Sequence, residues 1–176
     1  MGMDVNGINP IIRSKAPERP ENLWDLPDED KDAYFEARNK WEDENPGEYF
    51  RANVWSWRPI MEALWESGAC YEIDEKDWRN MSFNDGAGAK DAETSIRMAN
   101  KLRNWMAEKI WDEDGCWEPD TFKNDDMLVC SETGKFVRKA EAELMGIEVR
   151  SPYTVHKDHL EQFCRFLDEC GGFEVW

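Results

Sequence analysis

The spacing of apolar side chains along the first half of the chain predicts two helices. The first helix is predicted between Pro27 and the NPG sequence of residues 45–47, where a partly apolar stripe of side chains repeats at i, i+3, i+4 and i+7. A second helix is expected to start at Arg58 and Pro59, because proline fits the first turn of a helix, and to end at Gly68. The inward positions are Tyr34, Ala37, Arg38 and Trp41 in the first helix and Ile60, Ala63, Leu64 and Ser67 in the second.

Two further helices are predicted in the second half of the chain. The longest helix is expected over residues 90–111, after the glycine turn NDGAGA at 84–89. The last helix is expected to be capped by Thr154 and to stop at the glycine pair 171–172. Their inward positions are Ile96, Ala99, Leu102, Met106 and Ile110 in the longer helix and Leu160, Phe163, Cys164 and Leu167 in the last.

Short strands are predicted before, between and after the helices. MDV near the start leads into the turn NGINP, and FEVW closes the chain. MLVC (127–130) and KFVR (135–138) flank SETG, which is typical of a β-hairpin with glycine in its turn, and GIEVR (146–150) is another strand. The order of elements predicts an α+β single domain, with three to four helices packed on a small, mainly antiparallel sheet.

The tryptophan content changes the picture of the core. The 176 residues are 40% hydrophobic and 35% charged, but they include ten tryptophans, each able to bury about 150–250 Å². The richest stretch is YFRANVWSWRP, residues 49–59, which we expect to lead into the second helix. Residues 50, 54 and 57 would pack inward while the arginines pair with carboxylates. The composition therefore indicates a folded domain with a heavily charged surface.

The acidic surplus is large and clustered. A net charge of −17 argues against direct binding to nucleic acid or an anionic membrane, and it also keeps the protein soluble. Residues 21–48 hold eleven acidic and three basic side chains, a net of −8, and residues 108–126 hold eight and two, a net of −6. The sequence DEDG at 112–115 would place carboxylates at the end of a helix, where the helix dipole disfavours them.

Clustered carboxylates favour a binding surface for a basic protein. Carboxylates one helical turn apart lie about 5–6 Å from each other, close to the phosphate spacing along a nucleic-acid strand. The leading hypothesis is a non-enzymatic nucleic-acid mimic that occupies the basic site of a host nucleic-acid-binding protein. Its predicted partner-binding residues are Asp28, Glu29, Asp30, Asp32, Glu42, Asp43, Glu44, Asp112, Glu113 and Asp114.

The alternative hypothesis is a nucleotide-binding module. An arginine beside a tryptophan stacks on a base and holds a phosphate, and a glycine turn before a helix exposes N–H groups to an anion. An enzyme is less favoured, because no GxSxG, Cys–His or Walker sequence occurs, and we expect no cofactor. The ligand-binding residues predicted by this alternative are Arg51, Trp55, Trp57, Arg58, Asn84 and Asp85.

Cysteine and histidine usage favours a reducing cytoplasm and no metal site. The five cysteines form no CxxC pair, and the first residues lack the basic and apolar regions of a signal peptide. Cys164 falls on an apolar helical stripe and is interpreted as a core residue. His156 and His159 are spaced i, i+3, and we interpret them as solvated residues of a first helical turn.

Four segments carry a resemblance to a known group of proteins. MGMDVNGINP, YFRANVWSWRP, NDGAG and the ending FCRFLDECGGFEVW resemble a family of small uncharacterised proteins of bacteriophages and bacteria. That family carries MGxDVxG, YFRxNVWxWRP, NDGxG and GGFE. The resemblance implies a phage or mobile-element setting and brings no established activity or catalytic residue. Compared with the shorter family pattern, residues 13–45 are interpreted as an acidic insertion, an extended segment followed by a helix.

Overall fold

The computed structural model describes residues 2–122 and 126–176, which form an α+β fold as predicted. The helices within these ranges are α1 (Asp28–Glu44), α2 (Val54–Glu66), α3 (Glu75–Asn80), α4 (Ala92–Glu108), α5 (Lys139–Met145) and α6 (Lys157–Glu169). The strands are β1 (Gly2–Gly7), β2 (Tyr49–Asn53), β3 (Cys116–Trp117), β4 (Met127–Cys130), β5 (Phe136–Arg138), β6 (Val149–Arg150), β7 (Val155–His156) and β8 (Phe173–Val175). The four longer helices correspond to those predicted, and the short helices α3 and α5 are additional.

Both ends of the chain meet in a three-stranded antiparallel sheet of order β2-β1-β8. Val5 in the middle strand faces Phe50 on one side and Val175 on the other. Because successive side chains of a strand point to opposite faces, these residues enter the core while Asp4 and Arg51 lie on the outer face. The other described strands form the antiparallel pair β3-β7 and the antiparallel sheet β5-β4-β6.

Helices α2 and α6 pack on the inner face of the β2-β1-β8 sheet, and α4 packs against both helices. Leu102 of α4 and Leu160, Phe163 and Leu167 of α6 have no exposed surface. Each such side chain contributes about 1.5–3 kcal/mol relative to an exposed one. The predicted stripe of the last helix is therefore confirmed, including Cys164, which is 1% exposed.

The tryptophan- and arginine-rich stretch folds as a strand followed at once by a helix, so the predicted helix start is wrong. Oδ1 of Asn53 accepts the backbone N–H groups of Trp55 and Ser56, each at 2.9 Å. This cap starts α2 at Val54, five residues before Pro59. The prediction relied on the preference of proline for a first turn, whereas an asparagine that satisfies two unpaired amides determines the start.

Two of the five predicted core positions of α4 are wrong. Ile96 is 39% exposed and Ile110 is 90% exposed, while Ser95 and Met98 are buried. The helix ends at Glu108, so Ile110 lies beyond it, and at 17 residues α4 is as long as α1 rather than longer. The remaining predicted positions, Ala99, Leu102 and Met106, are buried.

His156 rather than Thr154 caps α6. The Nδ1 atom of His156 accepts the N–H of Asp158 at 3.1 Å, so the predicted cap is wrong by two residues. The cause is the pairing of β7 with β3, which keeps the backbone extended through His156. The predicted β4–β5 hairpin and the strand at the end of GIEVR are confirmed.

Candidate partner-binding surface

Helix α1 forms because its ends suit a helix despite its charge. Pro27 precedes the first turn, and Asp28, Glu29 and Asp30 lie where the positive end of the helix dipole stabilises carboxylates. At the other end the Asn45 side chain donates to the Trp41 carbonyl oxygen at 2.7 Å. The limits of this helix agree with those predicted from its proline and NPG sequences.

One buried side chain attaches α1 to the remainder of the described fold. Trp41 is 6% exposed, and its indole N–H donates to the Ser14 carbonyl oxygen at 2.8 Å. The Arg38 guanidinium lies 4.7 Å from the centroid of the Trp41 ring. Oδ1 of Asn45 accepts the Arg13 N–H at 2.6 Å. The start of the extended segment 13–27 is therefore held against α1 by hydrogen bonds.

The C-terminal end of α1 lies against the C-terminal end of α6. The two terminal nitrogens of Arg13 bind the Glu169 carboxylate at 2.5 and 2.8 Å. Gly47 lies against the backbone at the end of α6, so closely that a Cβ atom there would be 2.3 Å from the Glu169 carbonyl carbon. This contact fixes where α1 leaves the body of the protein.

The side of α1 opposite Trp41 carries a row of carboxylates, here called the acid row: Glu29, Asp32, Glu36 and Asp43. All four residues are exposed, and at 100° per residue they fall within about 60° around the helix axis. With a rise of 1.5 Å per residue, the acid row is about 21 Å long. No lysine or arginine in the described ranges lies within ion-pair distance of these four carboxylates.

Only three of the seven acidic residues predicted on α1 belong to the acid row. Asp28 pairs with Lys31 at 3.3 Å and Glu42 with Arg38 at 2.6 Å. The other two, Asp30 and Glu44, are exposed but lie about 90° or more away around the axis. Glu36 is missing from the predicted residues, although its spacing of i+4 from Asp32 and i+7 from Glu29 carries the signal.

The predicted acidic residues after α4 lie in a turn rather than at a helix end. Asp112, Glu113 and Asp114 are exposed, but Oδ1 of Asp112 accepts the N–H groups of Asp114 at 3.1 Å and of Cys116 at 2.6 Å. The expectation of carboxylates against a helix dipole is therefore wrong, since α4 has already ended. Asp112 instead stabilises the turn that leads into β3.

The two acidic segments do not form one surface. The turn after α4 adjoins the start of α6, because the Gly115 carbonyl oxygen accepts the Lys157 N–H at 2.9 Å. Helix α1 adjoins the opposite end of α6, which is 13 residues or about 18 Å away. Within the acidic stretch 108–126, residues 123–125 lie outside the described residues.

The tryptophans and Arg58 of the predicted nucleotide site have other partners. Trp57 is 2% exposed and its indole N–H donates to the Met81 carbonyl oxygen at 2.9 Å, so it belongs to the core and cannot stack on a base. Arg58 donates to the Tyr153 hydroxyl at 2.7 Å. The Trp55 ring lies 5.1 Å from the same tyrosine ring. The interpretation of this stretch as core is confirmed for Trp57.

The remaining predicted ligand residues lie on different strands and turns. Arg51 is on β2, whereas Asn84 and Asp85 are in a turn beyond β8, where the Gly86 N–H donates to the Val175 carbonyl oxygen at 2.9 Å. Three strand spacings of about 4.8 Å separate them, about 14 Å in all. The six residues therefore do not surround a common pocket.

One titratable pair lies on the outer face of the β2-β1-β8 sheet. The Tyr49 hydroxyl donates to Asp4, and Arg51 lies 3.7 Å from the same carboxylate. Burial, followed by the hydrogen bond to Asp4, raises the pKa of Tyr49 to about 12. The tyrosine therefore remains protonated near neutral pH and acts as a hydrogen-bond donor.

The described residues contain no cluster of three or more histidine, cysteine or acidic side chains suited to a metal ion. Among the described helices, none has the length and apolar composition needed to cross a membrane. Comparisons with protein-family models, with curated proteins and with solved structures give no match. The fold and the acid row therefore define the chain only as an α+β protein with an acid-faced helix.

Proposed function

We propose that this protein is a non-enzymatic inhibitor that uses the acid row of α1 to occupy the basic site of a nucleic-acid-binding protein. The observation that carries the proposal is the acid row itself, an exposed line of four carboxylates that form no ion pair in the described ranges and have only Lys40 beside them on α1. A groove lined with lysine and arginine accepts such a line in place of a phosphate backbone.

The position of α1 supports this proposal. The helix contacts the body through Trp41 and through its C-terminal end. There Asp43 lines a cavity with Arg51 and Arg165, whereas the acid-row residues before it remain accessible. Lys31 and Arg38 of α1 are half-buried, and they pair with Asp28 and Glu42, respectively. The resemblance to phage and bacterial proteins supports a host defence protein in the cytoplasm as the target.

The test uses immobilised protein and the DNA-cellulose-retained fraction of a bacterial lysate. We expect retained proteins to be released by excess duplex DNA and by raising salt from about 0.1 to 0.5 M, since salt screens contacts between exposed charges. Reversal of the acid row to lysine at all four positions is expected to abolish retention.

The matched control reverses four exposed acidic residues elsewhere, Glu132, Glu141, Glu143 and Glu148. It changes the net charge by the same amount, so a loss of retention in both variants would mean that only the total charge matters. The proposal would be refuted if DNA-binding proteins were still retained after reversal of the acid row, or if neither higher salt nor excess duplex DNA released them.

A further inference from the structure

A second exposed surface is aromatic and lies where α2 ends and α3 begins. We call Trp65, Tyr71, Trp78 and Phe83 the aromatic surface. Trp65 is 51% exposed, Tyr71 is 70% exposed and Phe83 is 65% exposed, while Trp78 is half-buried. Exposed aromatic groups of this extent mark interaction sites in soluble proteins.

Three rings of the aromatic surface are in contact, and all four residues border one or both of two open cavities. The centroids of Trp65 and Trp78 are 6.4 Å apart with nearly parallel planes, and those of Trp65 and Tyr71 are 5.6 Å apart. One cavity of about 540 Å³ lies between Trp65, Trp78 and Phe83, and another of about 460 Å³ lies between Trp65, Tyr71 and Trp78. Flat side chains can therefore reach the ring faces from outside.

A carboxylate without a basic partner lines the larger cavity. Glu62 is half-buried beside Trp65 and Trp78, and no lysine or arginine in the described ranges lies within ion-pair distance of it. Arg79 lines both cavities, but its guanidinium is paired with Glu75, four residues earlier on α3, which leaves Glu62 as the unpaired charge. The site thus offers ring faces and a negative charge, which together suit a cation.

The same protein shows how such a group holds a cation. The Lys109 ammonium lies 4.8 Å from the Trp105 ring and 4.5 Å from the Trp117 ring, and it donates to Glu66 at 2.8 Å. Two aromatic rings and one carboxylate enclose it. The aromatic surface repeats this set of groups with Trp65, Trp78 and Glu62. Its own Arg79 is paired with Glu75, so Glu62 is left to pair with a cation from outside.

We propose that the aromatic surface, together with Glu62, binds arginine side chains of a basic protein partner. A guanidinium is planar and weakly hydrated, so it stacks on tryptophan faces while donating to a carboxylate, which an ammonium does less well. This proposal deepens the proposed function and rests on it for the basic nature of the partner. The aromatic surface shares no residue with the acid row, so the two can be tested separately.

The probe is a short peptide of arginines spaced by glycine and serine. It is compared with a peptide of the same length and spacing in which lysine replaces every arginine. The indole N–H signals of the ten tryptophans are followed by NMR and assigned with single Trp→Phe variants. We expect the arginine peptide to shift the signals of Trp65 and Trp78 to saturation, with about fivefold higher affinity than the lysine peptide. The signal of Trp176, which is similarly exposed at 49%, is expected to shift much less.

Two pairs of variants decide the proposal. Glu62→Gln is expected to weaken binding of the arginine peptide about fivefold. Glu143→Gln, which removes the same charge at an exposed position elsewhere, is expected to weaken binding less than about twofold. Tyr71 is highly exposed, so Tyr71→Ala carries little risk to folding, and it is expected to weaken binding of the arginine peptide. Trp176→Ala is expected to leave this binding unchanged. Equal effects within either pair, or the largest shifts outside the aromatic surface, would overturn the proposal.

The variant with a reversed acid row separates this proposal from the proposed function. It is expected to retain the peptide-induced shifts of Trp65 and Trp78 even where it no longer retains DNA-binding proteins. If the reversal removed those shifts, the peptide would be binding through α1, and the aromatic surface would not be a site of its own.

Discussion

Replacing Trp41 with alanine should detach α1 while leaving the body of the protein folded. Trp41 is the only buried residue of α1, and it does not belong to the main core cluster formed by α2, α4, α6 and the β2-β1-β8 sheet. A helix of 17 residues is marginal in water without tertiary contacts. The substitution therefore removes the main apolar contact that keeps α1 in place.

The magnitude follows from the burial of this one side chain. At 6% exposure Trp41 buries most of the area that a tryptophan can, about 150–250 Å², and truncation of such a residue costs about 3–5 kcal/mol. About 1 kcal/mol of this loss is the hydrogen bond to Ser14. Since each 1.4 kcal/mol is a factor of ten, the local opening of α1 should become at least about 100-fold more frequent.

Hydrogen exchange followed by mass spectrometry measures this effect directly. Peptides from residues 28–44 should exchange at least about 100-fold faster in Trp41→Ala, while those from residues 92–108 should change by less than about threefold. Trp65→Ala is the matched control, because Trp65 is 51% exposed, its ring partners Tyr71 and Trp78 lie outside α1, and its loss should leave both regions protected. Equal acceleration in both regions would show that α1 unfolds only with the core, and no change in 28–44 would show that Trp41 does not hold it.

Two further predictions concern stability. Burial lowers the pKa of His159 below its usual 6.5, so the folded protein binds fewer protons than the unfolded chain. The free energy of unfolding should therefore be highest above pH 6.5 and fall by up to about 1.4 kcal/mol per pH unit below it. Urea denaturation measures this slope, which His159→Gln should remove, and a slope that persists in this variant would contradict the prediction. Gly47→Ala should destabilise the contact between α1 and α6 by about 1–3 kcal/mol, because the new methyl group would overlap Glu169. An unchanged melting temperature together with unchanged hydrogen exchange in α1 would contradict this prediction.

Periodicity predicted the elements whose structure depends on their own residues. The last helix has a wide apolar stripe, and the fold buries it at Leu160, Phe163 and Leu167 as expected. Helix α1 begins and ends at its proline and NPG signals. The β4–β5 hairpin follows from glycine in its turn. In each of these cases local preference and tertiary contacts favour the same structure.

The errors occurred where one side chain or a distant strand decides the local structure. Asn53 starts α2 ahead of Pro59, and the pairing of β7 with β3 moves the cap of α6 from Thr154 to His156. Neither effect can be obtained from helical periodicity. In the same way, a count of acidic residues per segment did not separate the acid row, with Glu36 at its centre, from carboxylates that are paired or point elsewhere.

The distribution of bases on α1 explains why the acid row keeps a net negative charge. Carboxylates at spacings of three and four residues repel each other by a few tenths of a kcal/mol per pair, and intrahelical lysine or arginine normally offsets this repulsion. Here Lys31 and Arg38 pair with Asp28 and Glu42. Lys40, four residues after Glu36, is therefore the one base left to offset four carboxylates, and it forms no ion pair with them. Contact with a row of external cations would relieve the repulsion along the acid row. A basic groove therefore gains from α1 both direct attraction and the removal of an existing strain, which is the physical basis for expecting α1 to be the part of the molecule that binds.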